Sequence, residues 1–448
     1  MVDVTADGRR LSTSETPQRS RGSRQVPRKE TAVPASPDWF EPARFGLFVH
    51  FGLYSLAARH EWVRSREAIP DADYDRYLER FDPDQFDAPA LAKAARAAGM
   101  RYAVLTAKHH DGFCLFGSKL TDYHSVRVTG RDLVAEFADA MRAEGIRVGL
   151  YYSLLDWHHP DFEIDRYHPL HADAAALEQP RDMARYREFL RGQITELLTE
   201  YGDIDLLFFD FTYPAKGPED WGAEELLALV RELRPGILVN DRLGIPGDYV
   251  TPEQYQPDRP LERDGVPVRW EACHTLNGSW GYDRDNHEYK DPGMLVRMLV
   301  QSVACGGNLL LNVGPTGRGA LDPRARETLA AIGEWMQLHE RSVHDAGPAE
   351  FTPPSNVLYT QVGDRLYAHL LSWPLKHLHL PGLAGRVRYA QLLHDGSEVR
   401  FHQLDGENHE HNNLAPPSQD AGTLTLTLPI IAPDVLLPVL ELFLEADA

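Results

Sequence analysis

An aspartate stands at the end of an apolar run that has the length of a single β-strand. Residues 204–210 read IDLLFFD, and the turn-forming segments 201–203 and 212–214 flank them. A short apolar run with such borders is typical of a buried strand in a parallel sheet. Asp210 would then lie at the carboxyl end of the strand, where α/β barrels build their active sites. An aspartate that opens a turn or caps the next helix is the structural alternative.

Other predicted strands also end in side chains that form hydrogen bonds. The first ends at His50, the second at His109 and His110, and the fifth leads into Arg242. The carboxyl ends of barrel strands meet at one face, so these side chains are expected to converge with Asp210. A pocket that combines acids with several hydrogen-bonding groups suits sugar chemistry.

Each of these residues also has an alternative interpretation. His50 could be a core histidine, and Arg242 could be a solvated turn residue. Glu61 beside Trp62 could be an exposed acid next to a core aromatic ring.

In two pairs of adjacent residues it matters whether both side chains can point to the same side of the sheet. His109 and His110 could form a metal pair, but consecutive strand residues point to opposite faces. Both rings can enter one pocket only if the strand has already ended or bulges there. The same alternation predicts that one of Tyr151 and Tyr152 packs outward against helices.

The composition is that of a globular protein with an acidic surface. The chain has 448 residues, of which 43% are apolar and 25% charged, and its formal net charge is -21. Such a charge argues against nucleic acid or an anionic membrane as a partner and favours a neutral substrate. No apolar run of about 18 residues is present to span a membrane.

The cysteines and the N-terminal segment bear on the cellular compartment. Cys114, Cys273 and Cys305 are too few and too scattered for a disulfide framework, which indicates a reducing environment. Residues 1–33 are rich in Arg, Ser, Thr and Pro and lack the apolar centre of a secretory signal, so we predict a disordered tail. These features predict a cytoplasmic location.

From residue 39 onward, short apolar runs alternate with amphipathic stretches, which is typical of repeated strand-helix units. The predicted strands are 45–50, 102–109, 148–153, 204–210, 237–240, 268–271 and 309–313. The predicted helices are 88–98, 133–144, 181–200, 223–233, 294–304 and 323–339. This order predicts a TIM-like barrel.

Two regions depart from the alternation. Between residues 243 and 290 the barrel should be irregular, because there is no room for a regular helix among Gly244, Pro246, Pro252, Pro257, Pro260 and Pro267. After about residue 348, strand-like runs at 357–361, 365–372, 422–428 and 435–442 predict a small antiparallel β-sandwich. The expected domains are a tail (1–33), a catalytic (β/α)8-like barrel (34–345) and a C-terminal β-sandwich (346–448).

Together these motifs resemble the α-L-fucosidases of glycoside hydrolase family 29. The resemblance runs from about residue 39 to 344, and the segments that carry it are 45–52 (FGLFVHFG), 61–62 (EW), 108–113 (KHHDGF), 151–153 (YYS), 240–242 (NDR), 270–271 (WE), 279–282 (SWGY) and 308–315 (NLLLNVGP). It implies an irregular (β/α)8-like barrel followed by a β-sandwich, and a retaining mechanism with no cofactor or metal. The implied substrate is a fucosylated oligosaccharide or glycoconjugate.

The resemblance implies roles for individual residues. Asp210 would be the nucleophile that forms a fucosyl ester, and a second carboxylic acid about 5 to 5.5 Å away would protonate the leaving oxygen. Glu253 is the favoured acid/base because it lies in an irregular loop, and Glu271 is the second candidate. The implied fucose-binding set is His50, Glu61, Trp62, His109, His110, Tyr152 and Arg242, with Tyr152 preferred to Tyr151 by its spacing to His110.

One departure from the family pattern and two alternative functions stay open. Most relatives have glycine after the nucleophile, whereas this chain has Phe211, which could reshape the leaving-group side of the pocket. A metal-dependent TIM-barrel amidohydrolase is one alternative, although Phe48-Val49-His50 lacks the second histidine expected of a His-x-His pair. A catalytically silent sugar-binding protein is the other.

Overall fold

The computed structural model describes residues 39–403 and 422–445. The predicted disordered tail, residues 1–33, lies outside the described residues. All secondary structure below refers to the described part of the chain.

A parallel sheet forms the centre of the larger, N-terminal part. Its strands are β1 (Phe45–Val49), β2 (Tyr102–Lys108), β3 (Arg147–Ser153), β4 (Leu206–Asp210), β5 (Leu238–Val239), β8 (Glu271–Thr275) and β9 (Asn308–Val313). A short hairpin of β6 (Glu262–Arg263) and β7 (Val266–Pro267) precedes β8. Almost every residue of these seven strands is buried, because the helices cover the outer face and aromatic rings fill the inner one.

One predicted strand was misplaced. The apolar run at 268–271 suggested a strand ending at Glu271, but β8 begins at Glu271, which pairs with Asn308 at the start of β9. Residues 268 and 269 lie between the preceding hairpin and β8, and Trp270 forms only an isolated bridge to Val250. A glutamate at the start of a buried strand was missed because a buried acid needs a partner that only the folded chain provides.

The helices agree closely with the predicted amphipathic segments. They are α1 (Phe40–Ala43), α2 (Tyr54–Ala57), α3 (Val63–Arg66), α4 (Asp71–Leu78), α5 (Ala88–Ala97), α6 (Ser125–Thr129), α7 (Leu133–Ala143), α8 (Ala174–Leu177), α9 (Met183–Glu200), α10 (Pro218–Trp221), α11 (Ala223–Leu233), α12 (Pro292–Ala304) and α13 (Pro323–His339). Short 3₁₀ turns occupy Asp241–Leu243 and Glu340–Ser342. In the described residues, no helix has the length and apolar character needed to cross a membrane.

Aspartate side chains begin several of the long helices. Asp87, Asp132, Asp182, Asp291 and Asp322 each accept a hydrogen bond from a backbone N–H in the first turn of the following helix. These bonds satisfy donors that a helix leaves unpaired and place negative charge at the positive end of its dipole.

The parallel sheet curls but does not close into a full barrel. Its strand order is β5-β4-β3-β2-β1-β9-β8, so β5 and β8 are its two edges. Residues 249–253 span the gap through isolated bridges from Tyr249 to Asn240, from Val250 to Trp270 and from Glu253 to Cys273. Residues 244–291, all of them described, contain no α-helix, as the prolines predicted. The predicted (β/α)8-like barrel is therefore corrected to an open, seven-stranded one.

The C-terminal part contains two antiparallel sheets. One has the order β10 (Gly347–Pro348), β11 (Val357–Val362), β12 (Arg365–Leu370), β17 (Val439–Leu444) and β14 (Val387–Leu392). The other has the order β13 (His377–Leu380), β16 (Leu424–Thr427) and β15 (Arg400–Gln403). Leucines of both sheets, such as Leu366 and Leu426, belong to one buried apolar cluster. The domain boundaries at 33 and 345 remain predictions.

Candidate active site

Asp210 occupies the last position of β4, and two hydrogen bonds hold its carboxylate. The Tyr151 hydroxyl donates to Oδ2 at 2.8 Å, and Nη1 of Arg242 donates to Oδ1 at 3.0 Å. The side chain is 16% exposed, so one edge reaches the pocket. Asp210 is thus fixed in direction and still accessible.

Arg242 connects Asp210 to a second acid. Its Nη2 donates to Oε2 of Glu253 at 2.8 Å, while its Nε donates to Oγ1 of Thr251 at 2.7 Å. One guanidinium therefore contacts both carboxylates through separate nitrogens, a geometry that a planar fork of donors allows. Arg242 comes from the 3₁₀ turn after β5, and Glu253 from the irregular segment that spans the open edge.

Glu253 and Glu271 differ in whether they reach the pocket. Glu253 lines the pocket beside Asp210. Glu271 is the first residue of β8, and its Oε2 accepts a short hydrogen bond from the hydroxyl of Tyr102, the first residue of β2. The amino ends of parallel strands face away from the pocket, so the structure does not bring Glu271 to Asp210.

The three predicted histidines all line the pocket. His50 directly follows β1. Because β2 ends at Lys108, His109 and His110 lie beyond the strand and their side chains need not point to opposite faces. Their rings lie side by side with centroids 4.0 Å apart. His110 Nε2 is 4.0 Å from Oδ2 of Asp210.

The choice between the two tyrosines is reversed by the structure. Tyr151 lines the pocket, bonds Asp210 and stacks on His109 with an interplanar angle of 12°. Tyr152 points to the helix layer, where its hydroxyl donates to Oε1 of Gln193 in α9 at 2.7 Å. Tyr152 was chosen by its spacing to His110. This spacing is no guide, because His110 lies beyond the end of β2 and its side chain does not follow the alternation that relates β2 to β3.

Glu61 and Trp62 contribute to the pocket in different ways. Glu61 is buried, and its Oε2 accepts backbone N–H bonds from Trp280 at 3.1 Å and Gly281 at 2.8 Å. It therefore fastens the 279–282 loop and lines the pocket as well. Trp62 packs its ring against His110 and Phe211 with centroids 4.8 and 5.2 Å away.

The pocket contains about 390 Å³ of empty space, part of which is open to solvent, and one of its sides is an apolar cluster. Phe48, Phe208, Cys273 and Trp280 form that side. These residues were not predicted as site residues, although alternation along β1 and β4 puts Phe48 and Phe208 in phase with His50 and Asp210. Cys273 and Trp280 come from β8 and the loop after it.

Burial shifts the pKa values of Asp210 and the three histidines so that the neutral form of each group is favoured. Burial raises the pKa of Asp210 to about 6; the Arg242 cation opposes this rise and the Glu253 charge adds to it. Burial lowers the pKa of His50 to about 3 and lowers the pKa values of His109 and His110 well below 6.5. The three histidines are therefore neutral at physiological pH.

Within residues 39–403 and 422–445, no group of three or more His, Cys, Asp or Glu side chains is spaced to hold a metal ion. The chemistry that the pocket offers on its own is that of two carboxyl groups, neutral imidazoles, a phenol and a guanidinium.

Two carboxyl groups on one guanidinium, set among hydrogen-bonding rings at the strand ends of a TIM-like fold, define a glycosidase site. The sequence profile of the α-L-fucosidase family matches residues 11–341. The chain belongs to this family and is a glycoside hydrolase.

Individual relatives agree with this assignment. The chain is 30% identical over 433 residues to the tissue α-L-fucosidase of Rattus norvegicus, covering 87% of this chain and 90% of that protein. Among solved structures, α-L-fucosidase isoenzyme 1 from Paenibacillus thiaminolyticus is 45% identical with a TM-score of 0.86, covering 91% of this chain and 98% of that one. A trapped covalent intermediate of a Bacteroides thetaiotaomicron α-L-fucosidase with 2-fluoro-fucosyl fluoride is 27% identical with a TM-score of 0.77, covering 91% and 95%.

Proposed function

We propose that this protein is a retaining exo-α-L-fucosidase in which Asp210 is the nucleophile and Glu253 the acid/base. The observation that carries the proposal is the Arg242 guanidinium, which contacts both carboxylates at the pocket. The covalent intermediate trapped in the Bacteroides relative supports the retaining course.

Substrate binding follows from the two sides of the pocket. The imidazoles of His50, His109 and His110 offer hydrogen bonds to sugar hydroxyls, and the apolar side receives the methyl group of fucose. Because these polar groups are buried, a sugar with misplaced hydroxyls would leave them unpaired, which disfavours its binding.

In the first step, Asp210 attacks the anomeric carbon while the bond to the leaving oxygen breaks. The Tyr151 hydroxyl and Arg242 hold the attacking carboxylate in place. Glu253 gives its proton to the leaving oxygen, so the aglycone departs as an alcohol and fucose remains as an ester on Asp210.

In the second step, Glu253 takes a proton from a water molecule, which attacks the same carbon from the face that the aglycone left. The ester bond breaks, Asp210 regains its charge, and Glu253 is again protonated. Two inversions give net retention.

The first experiment tests the nucleophile. Asp210→Ala should abolish hydrolysis of an aryl α-L-fucoside while the folded state, followed by circular dichroism, is kept. Turnover like that of the unmodified enzyme would rule out the proposed role.

The second experiment identifies the acid/base with added azide. In Glu253→Ala, azide should replace the water and give α-L-fucosyl azide, because it attacks from the face that water normally uses. Glu271→Gln is the matched control and should need no azide and give no azide adduct. Rescue at position 271, with none at 253, would reverse the assignment.

The cytoplasmic location of the enzyme stays a prediction. Phe211 is our proposed determinant of aglycone choice, because its ring lines the pocket beside Trp62. Assays with fucosylated oligosaccharides of defined linkage would test the substrate range.

A further inference from the structure

His50 makes a hydrogen bond that determines where its proton lies. Its Nδ1 is 2.6 Å from Oδ1 of Asn312. The Asn312 amide is oriented by a second bond, in which Nδ2 donates to the carbonyl oxygen of Trp280 at 2.7 Å. Since that carbonyl can only accept, the oxygen of the amide must face His50, and Nδ1 of His50 must be the donor. Nε2 of the neutral ring is then a lone-pair acceptor.

His110 has the opposite arrangement. Its Nδ1 is 2.6 Å from Oγ of Ser153, and the same Oγ accepts the backbone N–H of Leu155 at 3.0 Å. Ser153 is fully buried, and among the described residues its hydroxyl has no acceptor other than this ring. If Nδ1 of His110 donated instead, the hydroxyl hydrogen would be left buried without a partner. Ser153 therefore donates, and the proton of His110 lies on Nε2.

We propose that Asn312 and Ser153 are positioning residues that fix His50 and His110 in opposite tautomers, so that the pocket presents an acceptor at one ring and a donor at the other. Both rings line the pocket, and in both Nδ1 is engaged, which leaves Nε2 for the ligand.

The assignment deepens the proposed function and rests on it for the identity of the sugar. The ligand must offer a hydroxyl hydrogen to His50 and an oxygen lone pair to His110. Nε2 of His110 is also the nitrogen 4.0 Å from Asp210, so the donor is on the side of the attacking carboxylate. A sugar whose hydroxyls match only one of the two rings would leave the other unpaired.

The protonation state of each imidazole nitrogen can be measured directly in the unmodified protein by NMR. Full-length protein labelled with ¹⁵N-histidine would be studied by two-bond ¹⁵N–¹H correlation spectra, with His50→Gln and His110→Gln used only to assign signals. We expect the His50 proton on Nδ1 and the His110 proton on Nε2. The same tautomer at both rings, or the reverse pair, would overturn the proposal.

This measurement does not depend on turnover. If the tautomers are as expected and no fucoside is hydrolysed, the proposed function fails while the tautomer assignment stands. If fucosides are hydrolysed and the tautomers differ, only the present inference fails.

Asn312→Asp adds a kinetic test. A carboxylate at position 312 should make His50 basic enough to become a cation in mild acid, which converts its acceptor into a donor. The rings facing His50 are Phe48, His109, Tyr151 and Trp280, and of these only His109 and Tyr151 titrate. We expect kcat/KM to be about tenfold lower than that of the unmodified enzyme near pH 5 and to recover as the pH rises. A uniform loss at all pH values would contradict the proposal.

Ser153→Ala tests the second ring, with Ser302→Ala as its matched control. Ser302 is equally buried, and its hydroxyl contacts Gln256 away from the pocket. Loss of the Ser153 donor should lower kcat/KM about tenfold. It should also let the His110 signals move toward the other tautomer, whereas Ser302→Ala should change neither. Unchanged His110 signals in Ser153→Ala would overturn the role of Ser153.

Discussion

At the scale of single residues, Arg242 connects the two carboxyl groups of the pocket. It contacts Asp210 and Glu253, the proposed nucleophile and acid/base, through two nitrogens and is itself held by Thr251. Its positive charge opposes the effect of burial on the pKa of Asp210. The arginine was predicted as a sugar-binding residue, which stays a prediction, and the structure adds that it links the two acids.

The acid side of the pH profile should report on Asp210. Its pKa is raised to about 6, and only the ionised carboxylate can attack, so kcat/KM should fall as the pH decreases through about 6. The substrate should be an aryl fucoside with a good leaving group, which departs without being protonated. The acid side of the pH profile then does not depend on the acid/base.

The same profile gives a test of Arg242. In Arg242→Met the opposing cation is lost, so the acid limb should move to higher pH, whereas Arg242→Lys should move it less. A limb that stays in place in Arg242→Met would contradict the electrostatic role.

Phe211 holds a backbone conformation that a non-glycine residue rarely adopts. Its φ is +83°, and its ring packs against Trp62, His110, Tyr167 and Tyr213. Strain of this kind persists only where surrounding contacts maintain it. The aromatic cluster is the contact that maintains it here.

Comparing Phe211→Gly with Phe211→Ala separates the strain from the ring contacts. Both variants lose the ring, but only glycine relieves the positive φ, so the glycine variant should be more stable by about 1 kcal/mol in chemical unfolding. Equal stability of the two variants would show that the backbone at 211 is not strained. Both variants should gain activity on bulky aglycones relative to small ones, if Phe211 narrows that side of the pocket.

At the scale of elements, strand β8 places an acid at its amino end. Glu271 is fully buried, its pKa is raised by burial to about 8, and its Oε1 has no partner among the described residues. Its cross-strand neighbour Asn308 has an unpartnered Oδ1 as well. A protonated Glu271 is the form that suits this environment.

Glu271→Gln should therefore change how stability depends on pH. Between the ordinary glutamate value of 4.5 and about 8, the folded state holds a proton that the unfolded state has released, so the free energy of unfolding falls as the pH rises. The glutamine variant has no such proton, and its amide can donate to a nearby acceptor. Its stability relative to the unmodified enzyme should improve from pH 5 to pH 8 in urea titrations. A constant difference would contradict the protonated state.

At the scale of the whole molecule, the C-terminal sheets are attached to the helices of the barrel. Nε1 of Trp335 in α13 donates to the carbonyl of Leu437 at 2.8 Å, and Oγ1 of Thr360 in β11 donates to the carbonyl of Ser342 at 2.7 Å. Both bonds are buried, so the two parts should unfold together.

Trp335→Phe should lower the midpoint of a single calorimetric transition. It leaves the Leu437 carbonyl buried without its donor, a loss of about 1 to 3 kcal/mol. Trp373→Phe is the matched control, because its indole donates at an exposed site to Pro429 within the C-terminal part. A transition that splits in two, or an equal effect of both variants, would show that the junction does not couple the parts.

Much of this architecture could be predicted from the sequence. The helices 223–233 and 323–339 were predicted with their observed bounds, because apolar periodicity is a local signal. The gathering of Asp210, His50, His109 and His110 followed from strand ends, and that of Glu253 was implied by the family resemblance; all five line the pocket.

The sequence by itself determined that Asp210, His50 and the His109-His110 pair stand at the ends of strands, because that depends on residues close together in the chain. Only the tertiary structure decided that Tyr151 and not Tyr152 faces Asp210, that Glu271 lies at the far end of β8, and that the sheet stays open. Those outcomes depend on strand register and on pairing between distant segments, since a shift of one residue turns a side chain to the other face. The position of a side chain at a strand end depends on the local sequence, whereas the direction in which the side chain points depends on pairing with distant segments.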